Sequence, residues 1–216
     1  MTTPLDFWFD FHSPWSYLAA EQIEALAALH GRTVVWRPVH VAKLIAAIDG
    51  RRPLEATAAF VRWYRQDLQD FAALAGVTVR YHPDFPLRPA RALRAALLAA
   101  SQGNGGIFAR AVFKAYWTES LDISELGVIA AIGDAAGLDG SALAAAAEDP
   151  RWKAALEANN VEAQGRGIFG VPTVDADGKL YFGNDRLPLL HYRLGGLAPQ
   201  QFSEQNIHST GGMDSI

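Results

Sequence analysis

No cysteine occurs among the 216 residues. That absence excludes disulfides, cysteine-ligated zinc, a thiolate nucleophile and any dithiol chemistry carried by the protein itself. If sulfur chemistry happens here, a ligand must bring the sulfur. Lysine- or arginine-rich runs are missing too, and the formal net charge is −4. Nothing in the chain draws a phosphate backbone, so nucleic acid is not an expected partner. No apolar stretch approaches the roughly 20 residues that span a membrane. The opening "MTTPLDFWFDF" has neither the basic nor the apolar segment of a secretory leader. A cytoplasmic protein that works away from the membrane is the expectation. G-x-S-x-G is absent as well, which removes the hydrolase elbow. The histidines (His12, His30, His40, His82, His191 and His208) lie at no metal-ligand spacing, and no metal is expected.

What is present begins with "LDFWFDF" (5–11), whose large apolar residues alternate with polar ones as in a strand. "PWSYLAAEQIEALAALHG" (14–31) follows with apolar residues at helical spacing and a glycine stop, then the β-branched "TVVWRPV" (33–39). This β-α-β opening predicts a parallel pair of strands. Residues 42–166 are Ala-rich with helical periodicity, enough for about five helices. Asp122 and Glu125 form a capping-box-like pair before one of them, and "VTVRY" (77–81) reads as a connector. After residue 167 two short apolar runs flank Ala176, Asp177 and Gly178, a hairpin turn, and "DRLPLLHYRLGG" (185–196) closes as a helix. The polar, Gly/Ser-rich 198–216 is expected to be a poorly ordered tail.

That element order predicts an α/β chain with a thioredoxin-like fold. Residues 1–42 and 167–197 would form the thioredoxin-like part, with an all-helical domain, 43–166, inserted between its β-α-β and β-β-α halves. "GRGIFG" (165–170) matches G-x-G-x-x-G literally, but it follows a helix and precedes a strand, the reverse of a dinucleotide fingerprint. "GNGG" (103–106) lacks the Lys-Ser/Thr of a phosphate loop and reads as a turn.

Ser13-Pro14, at the first strand-to-helix junction, has two readings. Serine is a favoured N-cap and proline a favoured first helical residue, so the pair starts a helix. In a thioredoxin-like fold the same turn holds the reactive sulfur, and a hydroxyl there can donate to a thiolate and lower a thiol's pKa. Ser13 would then activate an exogenous thiol, for which glutathione is the cytoplasmic candidate. Ser16 is a weaker contender, expected to bond its own backbone. His12 is adjacent to Ser13, but neighbouring side chains on a strand face opposite ways, so no Ser-His pair is expected.

"GVPT" (170–173) opens the second β unit; Pro172 is an ordinary trans edge proline, or the cis proline that a thioredoxin-like fold sets opposite the first helix. In the second case Val171 would turn its backbone toward a peptide-like ligand. Of Asn184 and Asp185, before the last helix, one is expected to cap it, and Asp185 can also pair with glutathione's α-ammonium. Trp63, Tyr64 and Phe71 form a stripe at helical spacing, either core or the wall of an aromatic pocket.

With "FDFHSPWSYLA", "FKAYW" (113–117), "FGVPT" and "FGNDRL" in this order, the chain up to about residue 195 resembles the 2-hydroxychromene-2-carboxylate isomerases. These are relatives of kappa-class glutathione transferases within the DsbA-like thioredoxin superfamily. The resemblance implies a glutathione-dependent enzyme of aromatic, naphthalene-type catabolism in which Ser13, with Pro14 and Trp15, meets the glutathione sulfur. Val171 and Pro172 would hold its backbone, and Asn184 and Asp185 its γ-glutamyl end. The substrate implied is an aromatic carboxylate, with Lys43, Arg88 and Trp117 as candidates to hold it; for Lys43 and Arg88 a plain surface role is the other reading. Two departures stand out: "DGRRPLEATA" lacks the family's glutathione-binding asparagine, and Arg88 in "FPLR" replaces another. A kappa-like transferase, which consumes glutathione, and a redox-inactive peptide-binding module are the competing functions. A homodimer is common among relatives, although no interface signature is legible here.

Overall fold

A computed structural model describes residues 3–197; the tail expected from residue 198 lies outside them. Strand β1 (Leu5–Phe9) leads into helices α1 (Pro14–Ala20) and α2 (Ile23–Leu29), then strand β2 (Val34–Pro38). Strands β3 (Thr173–Ala176) and β4 (Lys179–Phe182) return after a long helical stretch. Together they make one four-stranded sheet in the order β2-β1-β3-β4. β1 pairs parallel with β2 and antiparallel with β3, placing Trp8 opposite Thr173. The thioredoxin-like topology predicted from the element order is therefore the one observed.

β1 is central and buried on both faces. Phe7 and Phe9 pack edge-on against Trp36, with ring centroids 5.1 and 5.6 Å away, and Phe11 meets Phe113 at 4.9 Å. Trp8 points to the other face, into a smaller cluster with Val39, Leu44, Ala163, Ile168 and Val171. The β3–β4 turn is closed by Asp177 and Gly178, both at positive φ (56° and 79°), as a two-residue hairpin with the twist of its strands requires.

Three sequence expectations change. The single helix over 14–31 is broken at Glu21 and Gln22. Gln22 sends its side-chain amide to the Leu18 carbonyl (2.8 Å) and to Asn184 Oδ1 (3.1 Å), tying the break to the far end of the chain. Ala19, Ala20, Ile23 and Ala27 stay buried across it, which is why the apolar period reads through unbroken.

The helical stretch holds seven α-helices rather than about five: α3 (Val41–Ala47), α4 (Ala58–Leu74), α5 (Ala90–Ser101), α6 (Gly105–Trp117), α7 (Leu126–Ala135), α8 (Gly140–Glu148) and α9 (Pro150–Gly165). α3 is only seven residues long, too short for periodicity to announce. Asp149 ends α8 and caps α9, accepting from Arg151 N–H with Pro150 as the first helical residue, so no loop separates the two. The capping box at Asp122 and Glu125 does not form. Asp122 instead closes a local turn on Ser124, accepting from its N–H (2.8 Å) and its hydroxyl (2.6 Å).

α7 and α8 approach closely through Gly133 and Gly140. A Cβ on Gly140 would lie 2.1 Å from the Ala130 carbonyl oxygen, a backbone atom that cannot swing aside. Gly140→Ala is expected to destabilise the fold by about 1–3 kcal/mol, read as a lower urea midpoint.

Candidate active site around Ser13

The turn after β1 is fixed before any ligand is considered. Asp10 is fully buried; one carboxylate oxygen accepts from His12 N–H (2.9 Å) and the other from Val41 N–H (2.8 Å), at the start of α3. Trp117, also fully buried, donates its indole N–H to the Phe11 carbonyl (2.8 Å). His12 turns its ring to the Leu87 carbonyl, so no Ser-His pair exists.

Ser13 caps α1: its Oγ accepts from Ser16 N–H (3.1 Å) with Pro14 as the first helical residue. The same hydroxyl donates to the Val171 carbonyl (3.2 Å), 158 positions along the chain. One hydroxyl thus caps α1 and reaches across to the residue before the cis proline. The Val171-Pro172 peptide is cis, the form expected of a thioredoxin-like fold; Phe85-Pro86 is cis too, which the sequence did not signal. Ser16 Oγ is buried without a hydrogen-bond partner among the described residues, contrary to the expectation that it would bond its own backbone.

Beyond β4, Gly183 adopts φ 106° and donates its N–H to the Pro172 carbonyl (2.9 Å). A 3-10 turn (Asn184–Arg186) then precedes helix α10 (Leu187–Arg193), and neither Asn184 nor Asp185 caps it. Asn184 is buried with its amide oxygen on Gln22, while Asp185 pairs with Arg186 at 2.6 Å. The expected capping role fails because the 3-10 turn carries the chain directly into α10.

Ser13, Pro14, Trp15, Val171, Pro172, Asn184, Asp185 and Trp117 all line one cavity of about 820 Å³. The stripe on α4 lines it as well. Tyr64 and Phe71 pack edge-on against Trp15, with centroids 5.9 and 5.5 Å away, whereas Trp63 is 53% exposed and so belongs to the wall rather than the core. Phe169 and Phe182, 4.7 Å apart, complete the apolar lining.

Two candidates fall outside this lining. Lys43 is ion-paired with Glu157 on α9, and Arg88 is exposed. Both were plausible carboxylate holders as charges in sequence, but neither reaches the cavity.

Two further lining residues stand out in the structure and not in the sequence. Asp67 lines the cavity three positions beyond Tyr64 and four beyond Trp63, a carboxylate interrupting an aromatic stripe. Burial, with Asp70 and Asp185 adding their charges, pushes its carboxyl above the usual range. Tyr81 is the other: burial raises its phenol, so the hydroxyl stays protonated, and it has no partner among the described residues. Among those residues no three His, Asp or Glu side chains cluster as a metal would need, and no helix is long and apolar enough to cross a membrane.

This architecture has relatives. The family model of the DSBA-like thioredoxin domain matches residues 4–195. A 2-hydroxychromene-2-carboxylate isomerase of Sphingobium xenophagum is 30% identical over 192 residues, 88% of this chain and 97% of that protein. Another, of Pseudomonas putida, is 29% identical over 91% of this chain and 96% of its own length. The solved structure of a 2-hydroxychromene-2-carboxylate isomerase superposes with a TM-score of 0.79 at 26% identity, covering 89% of this chain and 95% of that one. Sequence and fold agree across nearly the whole length, and the chain belongs to the DsbA-like thioredoxin family, among the 2-hydroxychromene-2-carboxylate isomerases.

Proposed function

We propose that this chain is a glutathione-dependent isomerase of 2-hydroxychromene-2-carboxylate or a closely similar aromatic acid. The observation that carries the proposal is the Ser13 hydroxyl set against the Val171 carbonyl, beside a cis proline, in a cavity walled by aromatic rings. The cavity, at about 820 Å³, lies within the range of small-molecule sites, roughly 300–1,000 Å³. Its polar groups suit glutathione: a hydroxyl donor for sulfur, the Val171 backbone before the cis proline for a peptide backbone, and Asp67 and Asp185 for an ammonium.

When bound, glutathione supplies a thiolate that adds reversibly to a conjugated double bond, leaving a single bond free to rotate, and is released unconsumed. Ser13 serves that chemistry by moving its hydrogen bond from the Val171 carbonyl to the sulfur. One N–H, from Ser16, stays on Ser13 Oγ throughout and polarises the hydroxyl into a better donor. Val171, released from Ser13, then has its carbonyl free for a peptide N–H. Trp15, Tyr64 and Phe71 exclude water from one side of the reacting atoms, which strengthens every charge interaction there. Asn184 is held by Gln22 and keeps the turn that presents Asp185 in place.

The competing functions separate by stoichiometry. With glutathione well below the concentration of 2-hydroxychromene-2-carboxylate, turnover should continue past one equivalent and the thiol titre should not fall. One glutathione lost per product would make the chain a transferase. No turnover and no glutathione binding would leave the peptide-binding module.

Asp67 adds a pH signature. Its ionised form attracts the ammonium, so glutathione binding should weaken as pH falls through the raised Asp67 pKa. A carboxyl raised on folding favours the protonated state, so Asp67 contributes stability at low pH that is lost as pH rises. Asp67→Asn should therefore flatten the binding profile and weaken glutathione about two- to fivefold, the range of a solvent-touched ion pair. At neutral pH the free variant should be no less stable than the parent. Calorimetric titration and urea unfolding read the two effects separately.

A further inference from the structure

Arg51 lies in the stretch between α3 and α4 and lines the cavity, yet it makes no hydrogen bond, ion pair or ring contact among the described residues. The other cations nearby are committed. Arg52 pairs with Glu55 at 2.8 Å, Arg65 lies over the Tyr81 ring at 5.7 Å, and Lys43 is tied to Glu157 outside the lining. His12, which does line the cavity, has its ring on the Leu87 carbonyl. Beside Arg51 in the lining, Arg52 and Glu55 are spent on each other, and Ile48, Phe60 and Trp63 are exposed apolar side chains of the same cavity (58%, 40% and 53%). A planar guanidinium with five donors and no acceptor, left without a described partner in an otherwise mostly apolar cavity, matches one ligand chemistry best, a carboxylate taken in bidentate fashion.

The geometry points to Arg51 as the residue that anchors a ligand carboxylate in this cavity and so selects an acid over its neutral counterpart. Asp67 and Asp185, also in the lining, disfavour an acid near themselves, so the carboxylate belongs at Arg51 and an ammonium at the aspartates. The inference rests on the proposed function only for which acid is held. Within that reading there are two sources of the carboxylate: the aromatic substrate, and glutathione's glycyl end. Within "DGRRPLEATA", Arg51 is the donor without a described partner that this stretch brings to the cavity.

The test is direct binding, independent of turnover. 2-Naphthoate, 2-naphthamide, glutathione and its glycyl ethyl ester are titrated calorimetrically into the parent, Arg51→Gln and Arg51→Lys proteins. Arg51 is exposed and makes no described contacts, so the variants should fold as the parent does, checked by circular dichroism. Arg51→Gln should weaken a carboxylate ligand about tenfold or more while its neutral counterpart changes less than about twofold, and Arg51→Lys should recover part of the loss. A loss confined to naphthoate assigns the aromatic acid, and one confined to glutathione against its ester assigns the glycyl carboxylate. The inference is overturned if Arg51→Gln binds both acids as the parent does, or if the parent binds neither acid. Arg51-dependent naphthoate binding with no glutathione binding would leave the inference standing and remove the glutathione reading.

Discussion

Turnover in a Ser13→Gly variant is expected to fall roughly 100- to 1,000-fold, the loss typical of removing one preorganised donor from a developing or resident anion. Glycine is the informative replacement because Ser13 does two things at once. As N-cap of α1 it accepts from Ser16 N–H, and across the cavity it donates to the Val171 carbonyl, the bond the proposed function moves to sulfur. A cap changed to alanine costs about 0.5–2 kcal/mol, but one changed to glycine costs only a few tenths. Ser13→Gly therefore removes the hydroxyl while nearly sparing the helix, whereas Ser13→Ala removes both. If the hydroxyl activates a thiol, the two variants share the loss of turnover and differ in urea midpoint. If Ser13 is a cap and nothing more, turnover should follow stability, and the glycine variant should work almost normally.

The second large effect concerns Trp117. It was a substrate candidate in the sequence, and it does touch the cavity, but it is fully buried among Tyr81, Phe85 and Tyr116 and donates to the Phe11 carbonyl. Its main work is holding the turn that carries Ser13. Trp117→Ala is expected to cost about 3–5 kcal/mol, as large aromatic deletions in cores do. Trp117→Phe keeps most of the packing but leaves the Phe11 carbonyl without its donor, for a loss of about 1–3 kcal/mol. Chemical unfolding checks both. Because Ser13 lies two residues beyond Phe11, kcat in Trp117→Phe should fall more than KM rises, a positioning effect and not one of substrate contact.

Much of this was legible from local pattern. The alternating aromatics of β1, the Asp177-Gly178 hairpin and the order of elements led to the fold, because each is written in neighbouring residues. The Ser13 candidate was legible from chemistry: a chain without cysteine that still places a hydroxyl at a strand-to-helix turn, where the structure gathers it with Trp15, Val171 and Pro172 around one cavity. What escaped was set by distant partners. Gln22 breaks a helix because it reaches Leu18 and Asn184 while the apolar face runs on unbroken. Lys43 reads in sequence as an anion holder, but Glu157, 114 positions away, occupies it. Arg88 and Arg51 look equivalent in sequence, and only the packing of the segment between α3 and α4 against the cavity tells them apart. Asp67 hid inside a stripe that reads as core or as pocket wall, since nothing in α4 announces that a carboxylate among those aromatics borders the cavity.

The central claim is that Ser13 stabilises a ligand thiolate, and proton release on glutathione binding tests it most directly. Calorimetric titration in buffers of different ionisation enthalpy, across the pH range where a free thiol titrates, counts that proton. The account predicts saturable binding with a proton released near neutral pH, and loss of that release in Ser13→Gly even where binding persists. Binding without proton release, or release that Ser13→Gly leaves unchanged, would contradict it.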